Sequence, residues 1–491
     1  MGDNQGPGSD KAGPGGAGEA VAPSLLREIG LPGAVFMGLG SIMGTGLFVA
    51  LGIAAGVAGT GILLALPLAA LLALFNGLSS AQLAAAHPVS GGTYEYGHRY
   101  LSPGLGFSAG SMFLLAKSAS AATAALGVGG YLILLLRNAT GTAPVTAAAP
   151  PDGHSTLPVI VAAAAVVVLT LLVIRGIRRS NQANVVIVGI TLTALLVFLL
   201  VGLPRATGGL LGALSGNGAS DPGAAAAGGA AWTALLGDGP TALLHATALL
   251  FVAYTGYGRI ATLGEEVRHP RRVIPLAIWI TLGVIALLYM GTATVALGML
   301  GAEGFASITE ATAAPLHAAA AALEVPGLAL LVGAAAVTAM VGVLLNLILG
   351  LSRVALAMGR RGDLPRALAG VHAESGSPRA AVATVGVVIF LLVLVGDVRS
   401  TWSFSAFTVL VYYGITNLAA LRLPPEARRY PRWVPVLGLA GCGLLAFHME
   451  PEFWIAGIGL LAVAFGIRHL VQRQGGHGRP PGGLDSPAAP T

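Results

Sequence analysis

Residues 251–275 read FVAYTGYGRIATLGEEVRHPRRVIP, an apolar segment that is interrupted by glycines and then ends in charged residues. Gly256 and Gly258 stand where an uninterrupted membrane helix would continue. A break in such a helix frees backbone N–H and C=O groups, which a bilayer tolerates only where they face protein or a cavity. The segment therefore predicts an interrupted membrane helix whose break is a candidate ligand site.

A second segment of the same character lies far upstream, at residues 38–48 (GLGSIMGTGLF). Two interrupted helices at corresponding places in two halves of a chain are typical of secondary transporters. The half-helix after the first break would direct free N–H groups and its positive dipole end at an anion, for which a carboxylate is the natural candidate. Unpaired carbonyls at residues 252–255 can accept hydrogen bonds from an ammonium group. The two breaks together predict a site for a zwitterion.

The composition places the chain in a membrane. Of its 491 residues, 55% are hydrophobic and only 9% are charged, too few charges to cover a soluble globule of this size. The formal charge of +6 comes from arginines in short clusters between apolar segments, so nucleic acid is not an expected partner. Cys442, the one cysteine, stands in an apolar segment, and no disulfide-linked partner is expected.

The apolar segments predict an all-α polytopic membrane protein, because a helix of roughly 20 apolar residues crosses a lipid bilayer. About twelve transmembrane helices are expected. They lie near residues 32–54, 60–86, 105–135, 157–174, 184–203, 241–264, 275–300, 327–357, 380–396, 401–422, 433–449 and 453–471.

The loops between these segments predict the orientation. Arginines accumulate in alternate loops, for example at 175–179, 268–272 and 353–366, and the positive-inside rule then places both termini in the cytoplasm. The plasma membrane, as in a bacterium, is the expected location. Residues 1–23 and 474–491 are rich in Gly and Pro and predict disordered cytoplasmic tails that flank a transmembrane domain at 24–473.

Four stretches together resemble permeases of the amino acid-polyamine-organocation superfamily, most of all the cationic amino acid transporter-like branch. They are GSIMGTGLF at 40–48, HPVSGGTYEYGHRYLSPGLGF at 87–107, FVAYTGYGRIATLGEEVRHPRRVIPLAI at 251–278 and SRVALAMGRRGDLP at 352–365. The resemblance implies a leucine-transporter-type fold, in which helices 1 and 6 are broken. Its five-plus-five inverted repeat would comprise about 32–203 and about 241–422, with extra helices at about 433–471.

The resemblance also implies how a substrate amino acid is held. Its carboxylate would meet the backbone near Gly44, and its ammonium group would meet carbonyl oxygens of both breaks. The substrate-binding residues expected in this way are Ile42, Gly44, Thr45, Gly46, Val252, Ala253, Tyr254, Thr255, Gly256 and Tyr257. For the two tyrosines an alternative is open, in which each ring packs between helices and its hydroxyl is satisfied there.

One position departs from the branch. Gly258 and Arg259 stand where cationic transporters resemble one another in having an Asp followed by a small residue. A cationic substrate is therefore in doubt. Arg259 either favours a substrate with a carboxylate-bearing side chain or reaches the cytoplasmic funnel from its helix.

Lys117 is one of two lysines in the chain and lies about 18 Å along its helix from Leu105, at 1.5 Å per residue. That depth is near the middle of the membrane, where an ionisable group is costly and is usually functional or paired. Some proton-coupled relatives place a lysine in the fifth span, where this chain has Thr191. We therefore expect Lys117 to supply the coupling or gating charge, with a structural hydrogen bond to nearby carbonyls as the alternative.

Glu265 and Glu266 follow the second broken helix, next to Arg268. They are expected either to form an inner gate or to be a solvated helix end. The sequence contains no metal-ligand spacing, no nucleophile paired with a base and no GxxxxGK[ST] loop. An enzyme, a cofactor and direct ATP drive are therefore not expected.

The function predicted from these features is secondary active transport of a zwitterionic amino acid by alternating access. Proton symport is the expected mode. The alternatives are an amino acid exchanger, an amine or polyamine carrier, and a sensor that binds an amino acid without transporting it.

Overall fold

The computed structural model describes residues 29–87, 91–139, 156–176, 181–214, 239–261, 267–372 and 377–475. The expected N-terminal tail, nearly all of the expected C-terminal tail, and Glu265 and Glu266 lie outside these residues. The described chain is almost entirely helical. Its sole pairing of extended backbone is one parallel bridge between Ile29 and Val267.

Sixteen α-helices carry the fold within the described residues. In the first half they are α1 (Leu31–Ile42), α2 (Leu51–Ala58), α3 (Ile62–Ala86), α4 (Thr93–Tyr100), α5 (Pro103–Ala139), α6 (Thr156–Ile174), α7 (Asn181–Leu214), α8 (Pro240–Tyr254) and α9 (Gly258–Ala261). The remainder are α10 (Pro270–Thr312), α11 (Pro315–Ala321), α12 (Leu328–Arg361), α13 (Arg379–Val395), α14 (Val398–Leu421), α15 (Trp433–Phe447) and α16 (Pro451–Gly475).

Length and apolar composition make eight helical segments of the described chain long enough to cross a membrane, and α1, α13 and α15 are shorter apolar helices. The outward faces are apolar: Leu200 is 67% exposed, Leu287 76% and Ile455 74%. Such faces have no place in water but fit lipid. The prediction of an all-α polytopic membrane protein is confirmed.

The first predicted interruption is present. α1 ends at Ile42 because Met43 adopts a non-helical ψ of 86°. The chain resumes as a π-helical turn, Gly46–Ala50, which leads into α2. The carbonyl of Gly44 accepts hydrogen bonds from the N–H groups of Leu47 and Phe48, each at 3.0 Å, so the new helical segment starts at this glycine.

The second interruption is also present. α8 ends at Tyr254, a 3₁₀ turn occupies Thr255–Tyr257, and α9 begins at Gly258. The two breaks touch each other. A Cβ atom on Gly256 would lie 2.6 Å from the carbonyl oxygen of Ser41, and one on Gly46 would lie 2.7 Å from the Cβ of Ala253. Glycine at both positions is what permits this approach.

Two helices were not expected from the sequence. α4 is short and polar, but Tyr94, Tyr96 and Gly97 on it are buried, so packing supports a helix that hydropathy does not reveal. α11 follows α10, whose bounds enclose two helical segments: Gly301, at a φ of 69°, kinks the chain where the apolar span was expected to end, and the second segment continues to Thr312. α5 packs along both α12 and α14 and so faces the two breaks from the side.

Candidate functional site

A cavity of about 250 Å³ lies between the two breaks. Both broken helices contribute to its wall, and α5, α12, α14 and the start of α4 supply the rest. The part of the wall formed by the breaks consists of Ser41, Ile42, Thr45, Gly46, Val252, Ala253, Thr255 and Gly256. Seven of the ten substrate-binding residues expected from the sequence, together with Lys117, thus line one cavity.

The first break presents hydrogen-bond donors to this cavity. Thr45 and Gly46 line it at the start of a helical segment, where the first N–H groups have no intrahelical acceptor. Thr45 is 4% exposed, and its hydroxyl has no hydrogen-bond partner among the described residues. Gly44 stands behind the wall, where a Cβ atom would lie 2.6 Å from Val343. The arrangement suits a small anion.

A tyrosine joins the carbonyls of the two breaks. Tyr289 on α10 is fully buried, and its hydroxyl lies 3.3 Å from the carbonyl oxygen of Ile42 and 3.1 Å from that of Ala253. One hydroxyl proton serves two acceptors, one on each broken helix. Tyr289 therefore ties the interruptions together and partly satisfies the backbone freed at both.

Thr255 connects the second break to the one lysine in the spans. Its hydroxyl donates to the carbonyl of Val252 at 2.7 Å and accepts a hydrogen bond from Nζ of Lys117 at 2.9 Å. The carbonyl of Thr255 in turn accepts from the hydroxyl of Tyr413 at 3.3 Å. Lys117 lines the cavity, so α5 places an ammonium group next to the end of α8, at the second break.

The expected tyrosines of the second break lie away from the cavity wall. Tyr254 and Tyr257 are fully buried and are not among the residues that line the cavity. The hydroxyl of Tyr254 donates to the carbonyl of Leu66 at 3.4 Å, and its ring lies 5.0 Å from that of Tyr289. The ring of Tyr257 lies 5.6 Å from that of Tyr413. Tyr254 matches the packing alternative stated for these residues. The ring of Tyr257 packs as that alternative expects, but its hydroxyl is buried and has no hydrogen-bond partner among the described residues.

Sequence reasoning missed Tyr289 and Tyr413. Each is a tyrosine within an apolar helix, and a buried tyrosine usually finds a partner for its hydroxyl. That signal marks them as hydrogen-bond donors in the bundle. The carbonyl that accepts from each hydroxyl depends on which helices pack together, and the sequence does not show that packing.

The cavity also has lining residues toward one end of the bundle. Asn346, Gly350 and Arg353 follow one face of α12, and the last of them is exposed. Arg259 on α9 and Tyr94 on α4 line the same end. Access to Lys117 therefore runs between arginines.

A buried carboxylate supports this end. Asp363, 2% exposed, accepts hydrogen bonds from the hydroxyl of Tyr94 at 2.7 Å and Nε of Arg468 at 2.8 Å. Nε2 of His98 lies 3.3 Å from it. Burial alone raises the pKa of Asp363, but the hydrogen bonds from His98 and Tyr94 and the charge of Arg468 outweigh it, and the net pKa lies below the usual value.

Apolar membrane helices, two of them broken around a central cavity, define a membrane transporter rather than an enzyme. The chain belongs to the amino acid permease family, whose model matches residues 33–476. This confirms the resemblance to the amino acid-polyamine-organocation superfamily. Family membership agrees with transport of an amino acid, and no enzyme is indicated.

Three relatives illustrate the range of the family. The chain is 39% identical over 464 residues to an uncharacterized transporter of Mycobacterium tuberculosis, covering 92% of this chain and 94% of that protein. It is 26% identical over 412 residues to a branched-chain amino acid permease of Bacillus subtilis, covering 83% of each. It is 25% identical over 473 residues to the methylthioribose transporter of the same organism, covering 93% and 95%. The substrate must therefore be argued from the cavity.

Proposed function

We propose that the protein is a secondary active transporter that carries a zwitterionic amino acid by alternating access and proton symport. The observation that carries this proposal is the unpartnered hydroxyl of Thr45 at the first break, beside the N–H groups of Thr45 and Gly46 on the cavity wall. A substrate carboxylate fits these donors, because the positive end of a helix favours an anion. Gly44 contributes by its lack of a side chain, because an added Cβ atom would lie 2.6 Å from the side chain of Val343.

The ammonium group of the substrate is assigned to the carbonyls of Ile42, Val252 and Thr255. The carbonyl of Ile42 accepts one hydrogen bond, from Tyr289, and its second lone pair can accept the ammonium group. The carbonyl of Val252 accepts from the hydroxyl and the N–H of Thr255, and that of Thr255 accepts from Tyr413 and the N–H of Gly258, so the ammonium group would share these two oxygens with the internal donors. The internal bonds hold the oxygens in place before the substrate arrives, which lowers the entropic cost of binding.

Lys117 is proposed as the coupling residue. Lys117 donates to the hydroxyl of Thr255, and this hydroxyl donates to the carbonyl of Val252. Protonation of Lys117 and binding of substrate at the second break therefore both act on Thr255. Coupling between two such sites is reciprocal: a proton that favours substrate binding is itself favoured by the substrate. A gating role for Glu265 and Glu266 remains a prediction from the sequence.

The direction of the cavity agrees with the proposed orientation in the plasma membrane. The positive-inside rule places the arginine-rich end of the bundle in the cytoplasm, together with both termini. Arg353 and Arg259 then stand on the cytoplasmic side of the cavity. In the proposed cycle, one repeat rocks against the other around the fixed site and exposes it to the opposite face.

Uptake into proteoliposomes tests this function. With labelled amino acids outside, we expect accumulation when the outside is made acidic, and collapse of the accumulation when a protonophore is added. A parallel set is preloaded with unlabelled amino acids. Uptake confined to the preloaded vesicles would mean that the protein is an exchanger and not a symporter. Accumulation of an amine, without accumulation of any amino acid, would mean that the substrate is an amine. Binding without flux would indicate a sensor.

Replacement of Lys117 by Met tests the coupling step. We expect the variant to lose gradient-driven accumulation at saturating substrate, a fall of about tenfold or more in the accumulation ratio, since one proton carries a factor of ten per pH unit of gradient. Exchange of preloaded substrate needs no net proton movement and should persist. Unchanged dependence of uptake on the pH gradient would remove Lys117 from the coupling role.

A further inference from the structure

The described wall of the cavity carries charge of one sign. Its basic side chains are Lys117, Arg259 and Arg353. Among the described lining residues there is no aspartate or glutamate, and the other polar groups are hydroxyls, one amide, the indole N–H of Trp402 and backbone. A low-dielectric cleft lined by charges of one sign concentrates ligands of the opposite sign.

The basic groups differ in depth. Arg353 is exposed and Arg259 is partly buried, so both lie on the route into the cavity. Lys117 lies inside, bonded to Thr255 at the second break. Phe113, Lys117 and Ser120 all line the cavity from α5, so this helix forms a side wall with the ammonium group in its middle.

A ligand whose carboxylate is bound at the first break therefore lies in the same cavity as the ammonium group of Lys117. Thr45 and Gly46 receive the carboxylate of the amino acid core, and Lys117 stands at the other broken helix. Charge-assisted hydrogen bonds between an ammonium and a carboxylate are among the strongest that a protein forms. An ionised lysine in a membrane span requires such a partner or a polar cavity.

We propose that the transported amino acid carries a second carboxylate, like aspartate or glutamate, and that Lys117 binds its side chain. The inference rests on the proposed transport function and names the substrate class of the same site. Arg353 and Arg259 attract the anionic substrate at the cavity entrance. A cationic side chain would add a fourth positive charge to a wall on which no described lining residue is acidic.

The assignment agrees with proton coupling. A carboxylate bound beside Lys117 stabilises its charged form, so substrate and proton bind together and leave together. The other titratable groups on the wall are Tyr94 on α4, Arg259 on α9, Arg353 on α12, and Tyr412 and Tyr413 on α14. None of these is a carboxylate, which makes the substrate the partner of the ammonium group.

The test compares acids with their amides in the same proteoliposomes. Aspartate and asparagine, and glutamate and glutamine, differ little in shape but by one full charge. We expect uptake of each acid to exceed that of its amide by about tenfold or more, the effect of one charged hydrogen bond. Equal uptake, or preference for amides, apolar or cationic amino acids, would overturn the inference and leave transport standing. Absence of flux and binding for every amino acid would overturn both.

Variants then assign the preference to its residue. Lys117→Gln should reduce the acid-to-amide ratio to about one, and Lys117→Arg should restore most of it, because charge and not fold is what the pair of variants changes. Arg399→Gln removes an exposed charge that does not line the cavity and should leave the ratio unaltered. A preference for acids that survives in Lys117→Gln would overturn the assignment to Lys117. Wild-type ratios decide the substrate class even if a variant fails to fold.

Discussion

Replacement of Gly256 by alanine is expected to reduce transport by about 100-fold or more. The added Cβ would lie 2.5 Å from Cγ1 of Ile42, 2.6 Å from the carbonyl oxygen of Ser41 and 2.7 Å from its carbonyl carbon. The first atom belongs to a side chain and can shift, but the other two are backbone of the opposite broken helix. Overpacking of this kind costs about 3 kcal/mol, and here the cost separates the two breaks that form the site.

The matched control is Gly283→Ala on α10, where an added Cβ has nothing within 4 Å. Both variants are helical or near-helical glycine replacements in the same bundle, so expression and insertion can be compared directly. Uptake in proteoliposomes is measured at equal amounts of monodisperse protein. If Gly256→Ala transports as well as Gly283→Ala, the two breaks are not in contact during the cycle.

The interruptions themselves could be predicted from the sequence, because glycine clusters inside apolar segments have a local physical meaning. At Gly46 and Gly256 the absence of a side chain is the signal, and it does not depend on the rest of the fold. The depth of Lys117 followed equally directly from the rise of a helix. These features are encoded over a few residues.

What could not be predicted is which distant group completes each local feature. The hydroxyl of Tyr289 reaches the carbonyls of Ile42 and Ala253, across 247 and 36 positions of sequence. The bond from Lys117 to Thr255 spans 138 positions. Such pairs follow from the packing angles of the helices, and no pattern in either segment names its partner.

The same distinction explains the two tyrosines of the second break. The sequence places Tyr254 and Tyr257 next to the interruption, but a 3₁₀ turn rotates neighbouring side chains by about 120° per residue. Thr255 and Gly256 face the cavity, whereas the tyrosine rings point into the bundle. The position of these residues in the sequence predicts the region of the site, but the local backbone conformation determines which side chains face the cavity.

Asp363 is the residue outside the spans whose loss we expect to destabilise the protein most. Its carboxylate holds α4 through Tyr94 and His98 and holds α16 through Arg468. Nδ1 of His98 donates to the carbonyl of Tyr94 at 2.9 Å.

Asp363→Asn should lower the free energy of unfolding by about 3 kcal/mol, because it leaves buried cations without their counter-charge. The control is Glu310→Gln, which breaks an ion pair whose side chains are 57% and 47% exposed and should cost less than about 1 kcal/mol. Thermal and denaturant unfolding of the purified proteins in detergent measure both. Equal effects of the two substitutions would mean that the Asp363 network contributes no more than a surface ion pair.

The pH dependence supplies an independent check of the same network. Because the folded state lowers the pKa of Asp363, its contribution to stability is fully present above the usual carboxyl pKa of about 4. It is lost as the pH falls through the lower value of the folded protein. The difference in stability between the wild type and Asp363→Asn should therefore be constant near neutral pH and shrink in strong acid. A difference that grew on acidification would show that Asp363 is protonated in the folded protein and that the network is held by neutral hydrogen bonds.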